Sequence, residues 1–206
     1  MTAGPHVGDE MQAHALSSVP MGDPSIPDPI ADPIVVLVRE GRYRDALAAC
    51  AHAHGAILGR LCMALLGSQA DADEATQETL LRAHRGMANY RGEGSIKAWL
   101  CGIARHVCAH TLEIRRKGRE LLEGVPSPAN AEERDELARR QRARALRDAL
   151  AQLKPTEREA VVLRYVAGLS HREIAIACNL DEAAARKRIS RALARLRSVM
   201  PDEVFE

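Results

Sequence analysis

The last third of the chain contains two helix-start signals with one helix-stop signal between them. This order and spacing predict two helices joined by a tight turn. Thr156 with Glu159, and Ser170 with Glu173, both match the capping box, in which a hydroxyl and a carboxylate satisfy unpaired backbone N–H groups. Gly168 lies between them, where a helix is expected to end. The sequence therefore predicts one helix directly after Thr156 and a second directly after Ser170, joined as a helix-turn-helix.

A third helix, predicted over about 182–198 with Asp181 as its N-cap, carries positive charge on one side. Ile189, Leu193 and Leu196 are spaced to face a core. The segment from 186 to 197 has no acidic residue and six basic ones: Arg186, Lys187, Arg188, Arg191, Arg195 and Arg197. A solvated surface face is the alternative interpretation, but such faces usually alternate in sign. The unbroken basic face favours duplex DNA, with the first three residues near base edges or flanking phosphates and Arg191 and Arg195 on phosphates.

Composition and charge distribution set the fold class. Aromatic residues make up only 2% of the chain and apolar residues 46%, so the cores must consist of Leu, Ala, Val and Ile. The net charge is +1, but residues 137–199 hold 15 Lys and Arg against 6 Asp and Glu, whereas residues 1–33 hold 5 acids and no Lys or Arg. These features predict an all-α protein whose C-terminal part binds nucleic acid.

Apolar periodicity and Pro- and Gly-rich segments predict two small helical domains joined by a flexible linker. Residues 1–33 are Pro-rich and are predicted to be a disordered arm. Helices are expected over about 34–38, 43–66, 70–87 and 95–117, in a first domain of residues 34–117. Residues 118–136 are predicted to be the linker, and a helix over about 136–153 leads into a second domain of residues 137–199. Residues 200–206 form a tail.

The residue patterns give little support for a metal site, a cofactor site, a membrane span or an enzyme active site. The five cysteines include no CxxC pair, and their odd number fits reduced, packed thiols. His106 and His110 near Cys108, and His52 and His54 near Cys50, are an alternative, but no set of four zinc ligands is evident. We therefore expect no metal and no cofactor. The chain has neither a catalytic motif, nor a run of 18 apolar residues, nor a signal peptide, which predicts a cytoplasmic protein that is not an enzyme.

Two segments resemble bacterial extracytoplasmic function (ECF) sigma factors of the sigma-70 family. The stretch from Ala70 to Lys117 resembles region 2, with Gln77 and Glu78, the loop from Tyr90 to Glu93, the WL pair at 99–100 and the IAR motif at 103–105. The stretch from Leu153 to Arg197 resembles region 4 position by position. The resemblance implies a dissociable initiation subunit of RNA polymerase. In such proteins region 2 binds the β′ clamp helices and the unpaired −10 element, while region 4 binds the β flap and reads the −35 element.

The resemblance assigns three sets of residues by matching position. The core-polymerase-binding helix carries Asp71, Asp73, Glu74, Gln77 and Glu78. The −10 set comprises Tyr90, Arg91, Glu93, Ser95, Lys97, Trp99, Arg105, His106, Arg115, Arg116 and Lys117. The −35 set comprises Ser170, Arg172, Arg186, Lys187, Arg188, Arg191 and Arg195. An anti-sigma factor is a further partner that the family commonly has.

Several points stay open at the level of the sequence. Trp99 is either a core residue or a stacking platform, and the same two interpretations apply to Tyr90. The family often has Gly-Thr-Val where this chain has Ala183, Ala184 and Ala185, and His106 replaces an Asn after IAR, so promoter preferences cannot be transferred from relatives. A conventional helix-turn-helix regulator that binds DNA without polymerase is the alternative function.

Overall fold

The computed structural model describes residues 32–121 and 144–199, and in these residues the chain is helical and contains no strand. The N-terminal unit contains α1 (Pro33–Arg39), α2 (Tyr43–Leu66), α3 (Gln69–Gly86), a 3₁₀ turn (Met87–Asn89) and α4 (Ile96–Leu121). The C-terminal unit contains α5 (144–152), α6 (Pro155–Tyr165), α7 (His171–Cys178) and α8 (Glu182–Val199). The predicted all-α class is confirmed.

Most helix ends lie where capping chemistry places them. Asp32 accepts a hydrogen bond from the Ile34 N–H at 2.9 Å, so α1 already begins at Pro33, which the sequence had assigned to the arm. Gly67 ends α2 in the left-handed conformation at φ 71°, which costs little without a Cβ. Helix α4 continues to Leu121, past its predicted end at Lys117. The rest of the arm, the linker from residue 122 onward, the first part of the predicted helix over 136–153 and the tail lie outside the described residues.

Small side chains let the helices of the N-terminal unit approach closely. Ala72, Ala75 and Ala83 form the buried face of α3, which packs on α2 and α4. Leu58 of α2 and Leu100 of α4 are fully buried in the same core. Because aromatic residues are so few, these aliphatic side chains supply the apolar area that stabilises the unit.

The C-terminal unit is built around the helix-turn-helix. Both halves of the predicted capping box at Ser170 are present, since its hydroxyl accepts from the Glu173 N–H at 3.2 Å and the Glu173 carboxylate accepts from the Ser170 N–H at 2.9 Å. The predicted N-cap Asp181 accepts from the Ala184 N–H at 2.6 Å. Asn179 ends α7 in the left-handed conformation at φ 53°. The second helix and the third helix of the motif therefore start as predicted.

The capping box predicted at Thr156 is wrong. Helix α6 starts at Pro155, its N-cap is Lys154, and no side chain caps it. Proline suits the first helical position because it has no N–H to satisfy and its φ is already helical. The Glu159 carboxylate is used elsewhere, in an ion pair with Arg105 of α4 at 3.2 Å.

The two units pack against each other. Helix α4 contacts α7, and α2 contacts α6. A continuous apolar cluster includes Leu61 and Leu100 of the N-terminal unit together with Leu163 and Ile174 of the C-terminal unit. Periodicity along one chain segment cannot reveal such packing, because it shows which face is apolar but not what covers it.

Candidate nucleic-acid interface

Helix α8 separates an apolar side from a basic side. Ala185, Ile189, Ala192 and Leu196 are buried, and of these Ile189 and Leu196 had been predicted to face the core, as had Leu193, which is half-buried. The exposed basic side chains on the helix are Arg186, Lys187, Arg191, Arg195 and Arg197, and Arg188 is half-buried. The helix thus presents a basic surface, as the sequence predicted.

Two acidic residues partly neutralise this basic surface. Glu182, in the first turn of α8, forms an ion pair with Arg186, so the helix as a whole is not free of acid. Glu157 of α6, whose side chain is only 5% exposed, lies 3.6 Å from Arg195. Among the described residues, no carboxylate pairs with the remaining basic residues of the face, which are Lys187, Arg188, Arg191 and Arg197. These four side chains can therefore contact phosphate without first breaking an ion pair to a carboxylate.

The start of α7 carries two residues that the resemblance assigned to the −35 set, Ser170 and Arg172. The Ser170 hydroxyl acts as the helix cap, and the residue is half-buried. Arg172 is exposed. Arg164, which no sequence pattern singled out, donates to the Leu169 carbonyl at 2.9 Å and so fixes the turn before α7.

The loop from Tyr90 to Ser95 is held in shape by an aromatic pair. The Tyr90 hydroxyl donates to the Gly94 carbonyl at 2.9 Å, and its ring lies against Trp99 with centroids 5.2 Å apart. Burial, together with the nearby negative charge of Asp32, raises the pKa of Tyr90 to about 12. Gly92 and Gly94 have φ values of 74° and 95°, which L side chains rarely adopt. Both rings are half-buried and pack on the core, which leaves only part of each ring for stacking.

Tyr90→Phe is expected to lower the free energy of unfolding by about 1 kcal/mol, because the Gly94 carbonyl loses its donor while the ring packing stays. Urea unfolding should show a lower midpoint with an unchanged slope. Tyr165→Phe is the matched control, since Tyr165 is 62% exposed. Equal shifts in the two variants would show that the Tyr90 hydroxyl does not hold the loop.

Six further residues of the −10 set divide between solvent and the C-terminal unit. Arg91 and Glu93 of the loop, and His106 of α4, are exposed. Ser95, Lys97 and Arg105 instead contact the C-terminal unit, which the sequence did not predict.

The Arg105 side chain is only 16% exposed. It pairs with Glu159 at 3.2 Å, and its other terminal nitrogen lies 2.8 Å from His106 Nε2. Burial and the Arg105 charge lower the pKa of His106. The imidazole is therefore neutral at pH 7, and in that form Nε2 can accept from Arg105.

Arg115 and Lys117, two of the three residues of the −10 set near the end of α4, form ion pairs within the N-terminal unit. Arg115 forms an ion pair with Asp71 of α3 and also donates to the Leu66 carbonyl at 3.3 Å. Lys117 pairs with Glu113 at 2.8 Å, one helical turn away. Arg116 is exposed. The ion pair thus links Arg115, which the resemblance assigned to DNA binding, to Asp71, which it assigned to polymerase binding.

The outer face of α3 is acidic and exposed. Asp73, Glu74 and Gln77 point to solvent, with Asp73 accepting from Gln69 at 2.8 Å. Glu78 is half-buried and pairs with Arg82 at 2.6 Å. A groove of about 330 Å³ runs between α3 and α4, and its lining includes Ile114, which is 57% exposed. The sequence missed this apolar part, although Ile114 lies one helical turn past His110 on the same face.

The described residues show no cluster of metal ligands, and one helix is apolar enough to resemble a membrane span. Among residues 32–121 and 144–199, no group of three or more His, Cys, Asp or Glu side chains is arranged to hold a metal ion. All five cysteines are free thiols, and only Cys178 is not buried. By length and composition alone α2 could cross a membrane, with a mean hydropathy of 1.3, and a third of that window (33%) is buried inside the protein. Its buried side chains pack on α3 and α4, as in the core helix of a helical bundle.

Two family models match the chain in the places where these surfaces lie. Residues 50–120 match sigma-70 region 2, and residues 143–196 match sigma-70 region 4. The N-terminal unit with its loop and acidic helix therefore corresponds to sigma-70 region 2, and the C-terminal unit with its basic helix to sigma-70 region 4.

Individual proteins agree with these matches. The chain is 34% identical over 147 residues to the ECF RNA polymerase sigma factor SigE of Mycolicibacterium smegmatis, covering 68% of this chain and 56% of that protein. It is 31% identical over 150 residues to the ECF RNA polymerase sigma factor SigC of Mycobacterium tuberculosis, covering 69% and 77%. The solved structure of CnrH in complex with the cytosolic domain of CnrY has a similar fold, with a TM-score of 0.60 at 24% identity over 79% of this chain and 94% of that one.

The chain belongs to the ECF family of sigma-70-type RNA polymerase sigma factors. It spans a little over half the length of SigE, 56%, and about three quarters of SigC, 77%.

Proposed function

We propose that this protein is an initiation subunit that binds core RNA polymerase and directs it to promoters. In this proposal the N-terminal unit contacts the −10 element of the promoter, and the C-terminal unit contacts the −35 element. On the polymerase, α3 binds the β′ clamp helices and the C-terminal unit binds the β flap. The observation that carries the proposal is that one chain holds an acidic exposed face on α3 and a basic exposed face on α8, on separate units.

The charge of each surface supports the assignment of α8 to DNA and of α3 to the polymerase. The α8 face is suited to phosphates, because each Lys or Arg that contacts DNA releases a condensed counterion. Asp73 and Glu74 on α3 would be repelled by DNA, so this face suits a protein partner instead. The groove beside α3, with exposed Ile114, adds the apolar area that protein interfaces need.

The domain boundaries and the cellular location form part of the same proposal. The N-terminal unit, from Pro33 to Leu121, and the C-terminal domain of residues 137–199 act as the two domains, and the rest of the predicted 118–136 segment acts as their linker, so that the units can separate far enough to reach both promoter elements. Transcription takes place in the bacterial cytoplasm, which is where the protein would act. No residue is assigned a catalytic role, because polymerisation belongs to the core enzyme.

An anti-sigma factor is proposed as a second protein partner. The solved CnrH structure is itself a complex with another protein, the cytosolic domain of CnrY. The exposed face of α3 is the surface where such a partner would compete with core polymerase.

Dependence of DNA binding on core polymerase distinguishes the proposed function from a conventional regulator. A gel-shift series with promoter fragments should show a specific complex with core polymerase and this protein together, and at most salt-sensitive, sequence-independent binding with the protein alone. Core polymerase without the protein is the control. Specific, polymerase-independent binding to a two-fold symmetric site would identify a conventional helix-turn-helix regulator.

A further inference from the structure

A buried acid lies next to the basic surface of α8. Glu157, in the first turn of α6, is 4% exposed. Two other buried polar side chains occur in the described residues, and both are hydrogen-bonded: the Thr79 hydroxyl donates to the Ala75 carbonyl at 2.6 Å, and Glu173 accepts from the Ser170 N–H. Glu157 differs, because its Oε2 atom accepts no hydrogen bond from any described residue. A buried carboxylate in this state needs a nearby positive charge.

The positive charge comes from Arg195 of α8. Its Nη1 atom lies 3.6 Å from Glu157 Oε2, which is the distance of an ion pair rather than of a hydrogen bond. Helices α6 and α8 pack on each other, and the N-terminus of α6 adds a partial positive charge that also favours the carboxylate. In the part of the chain that the structure describes, Glu157 forms no second ion pair. Arg195 is therefore the counter-charge of this buried acid.

Burial of the acid distinguishes this pair from the other ion pair on α8. Glu182 and Arg186 are 41% and 65% exposed, so either side chain can leave the pair and be solvated at little cost. The Glu157 side chain is only 5% exposed, although Arg195 is 49% exposed. If Arg195 moved to a phosphate, Glu157 would be left as a buried charge without a partner, which is strongly unfavourable. Arg186 can therefore exchange its carboxylate for DNA, whereas Arg195 is held.

A guanidinium that stays beside Glu157 gains little from DNA. The pair of Glu157 and Arg195 has no net charge, so it does not displace a condensed counterion from the phosphates. A phosphate close enough to contact Arg195 would also lie near the Glu157 carboxylate, and the two negative charges would repel each other. Exposure on the basic surface thus does not by itself make Arg195 a DNA contact.

We propose that Glu157 is a positioning residue that holds Arg195 against α6 and withholds it from the DNA backbone. The inference rests on the proposed function, because it matters only if the α8 face binds DNA. Arg195, which the sequence assigned to the −35 set, then contributes no phosphate contact. Its role is to neutralise a buried acid and to hold α8 on α6.

The salt dependence of DNA binding counts the phosphate contacts, since each contact adds about 0.9 to the slope of log affinity against log salt concentration on B-DNA. The full-length protein is titrated with a fluorescent duplex promoter fragment at several KCl concentrations. Arg195→Ala should leave the slope unchanged. Arg191→Ala, at an exposed position about one turn earlier on α8, should make the slope shallower by about 0.9. An equally shallow slope in Arg195→Ala would overturn the inference.

Glu157→Gln removes the charge and keeps the size of the side chain. Arg195 then becomes available to phosphate, so the slope should become steeper by about 0.9, and Arg195→Ala in this background should return it to the wild-type value. Asp148→Asn is the matched control, because it removes the same charge at an exposed position of α5 and should leave the slope unchanged. A wild-type slope in Glu157→Gln would overturn the inference, even where Arg195→Ala alone is too unstable to assay.

Urea unfolding of the same variants tests the ion pair without DNA. Arg195→Ala should lower the midpoint by roughly 1 M, because Glu157 loses its counter-charge, and adding Glu157→Gln should restore most of that loss. Equal midpoints for Arg195→Ala and Arg191→Ala would overturn the inference. If Arg191→Ala left the salt slope unchanged, the proposed DNA-binding function of α8 would fail, and the urea result would still decide whether Glu157 holds Arg195.

Discussion

The double substitution Arg186→Glu with Lys187→Glu is expected to abolish promoter-specific transcription. Both side chains are exposed in the first turns of α8, the part of a recognition helix that enters the major groove. Each good bidentate contact to a base edge contributes roughly 1–3 kcal/mol, so losing two such contacts and adding two repulsions should weaken the −35 interaction by at least about 100-fold. Reversal at 186 also places a glutamate one turn from Glu182, where a cation now pairs with it.

A matched control separates this local effect from a change in net charge. Arg144→Glu with Arg147→Glu makes the same charge change at exposed positions of α5, in the same unit. Run-off transcription and core binding should be close to wild type in the control, and core binding should also be retained by the α8 variant. Loss of transcription in both pairs alike would show that the α8 face has no special role.

Reversing Asp73 and Glu74 to Lys is expected to weaken binding to core polymerase by about tenfold or more. Charge pairs at protein interfaces contribute about 1.5–7 kcal/mol in favourable cases, and each 1.4 kcal/mol is a factor of ten in affinity. Titration of labelled core enzyme gives the dissociation constant directly. Both residues are exposed on α3, so the fold should persist, although Asp73 loses its hydrogen bond from Gln69.

The control for this pair is Glu40→Lys with Asp45→Lys. These two acids lie near the junction of α1 and α2, and both pair with Arg42 on the surface, where ion pairs contribute little to stability. Core affinity should stay close to wild type in the control. If the α3 variant kept full core affinity but lost DNA binding, the assignment of the acidic face to the polymerase would be wrong.

Local chemistry made much of this fold predictable from the sequence. Ser170 and Glu173 mark the start of α7, Asp181 marks the start of α8, and Gly67 marks the end of α2, because each acts on backbone groups a few residues away. Thr156 shows the limit of such signals. Pro155, directly before Thr156, already occupies the first helical position. Thr156 therefore lies inside the helix and does not act as its cap, although its sequence matches the capping-box motif.

The candidate site was less predictable where two distant segments meet. The position of Arg105 in its motif indicated DNA, but the Glu159 that pairs with it is 54 residues further along the chain. Arg115, which the sequence assigned to the −10 set, pairs with Asp71 of another helix. Spacing rules describe neighbours on one helix, and neither partner is such a neighbour. By contrast, the α8 face could be predicted, because one helix supplies all of it.

Transcription from a pool of bacterial promoter fragments, with purified core RNA polymerase in the presence and absence of this protein, tests whether the protein is an initiation subunit. Start sites are mapped by sequencing the transcripts. If the protein is an initiation subunit, new starts appear only in its presence, share two upstream elements, and disappear with the α8 variant. No new starts, together with specific DNA binding that needs no polymerase, would contradict that role and identify a conventional helix-turn-helix regulator.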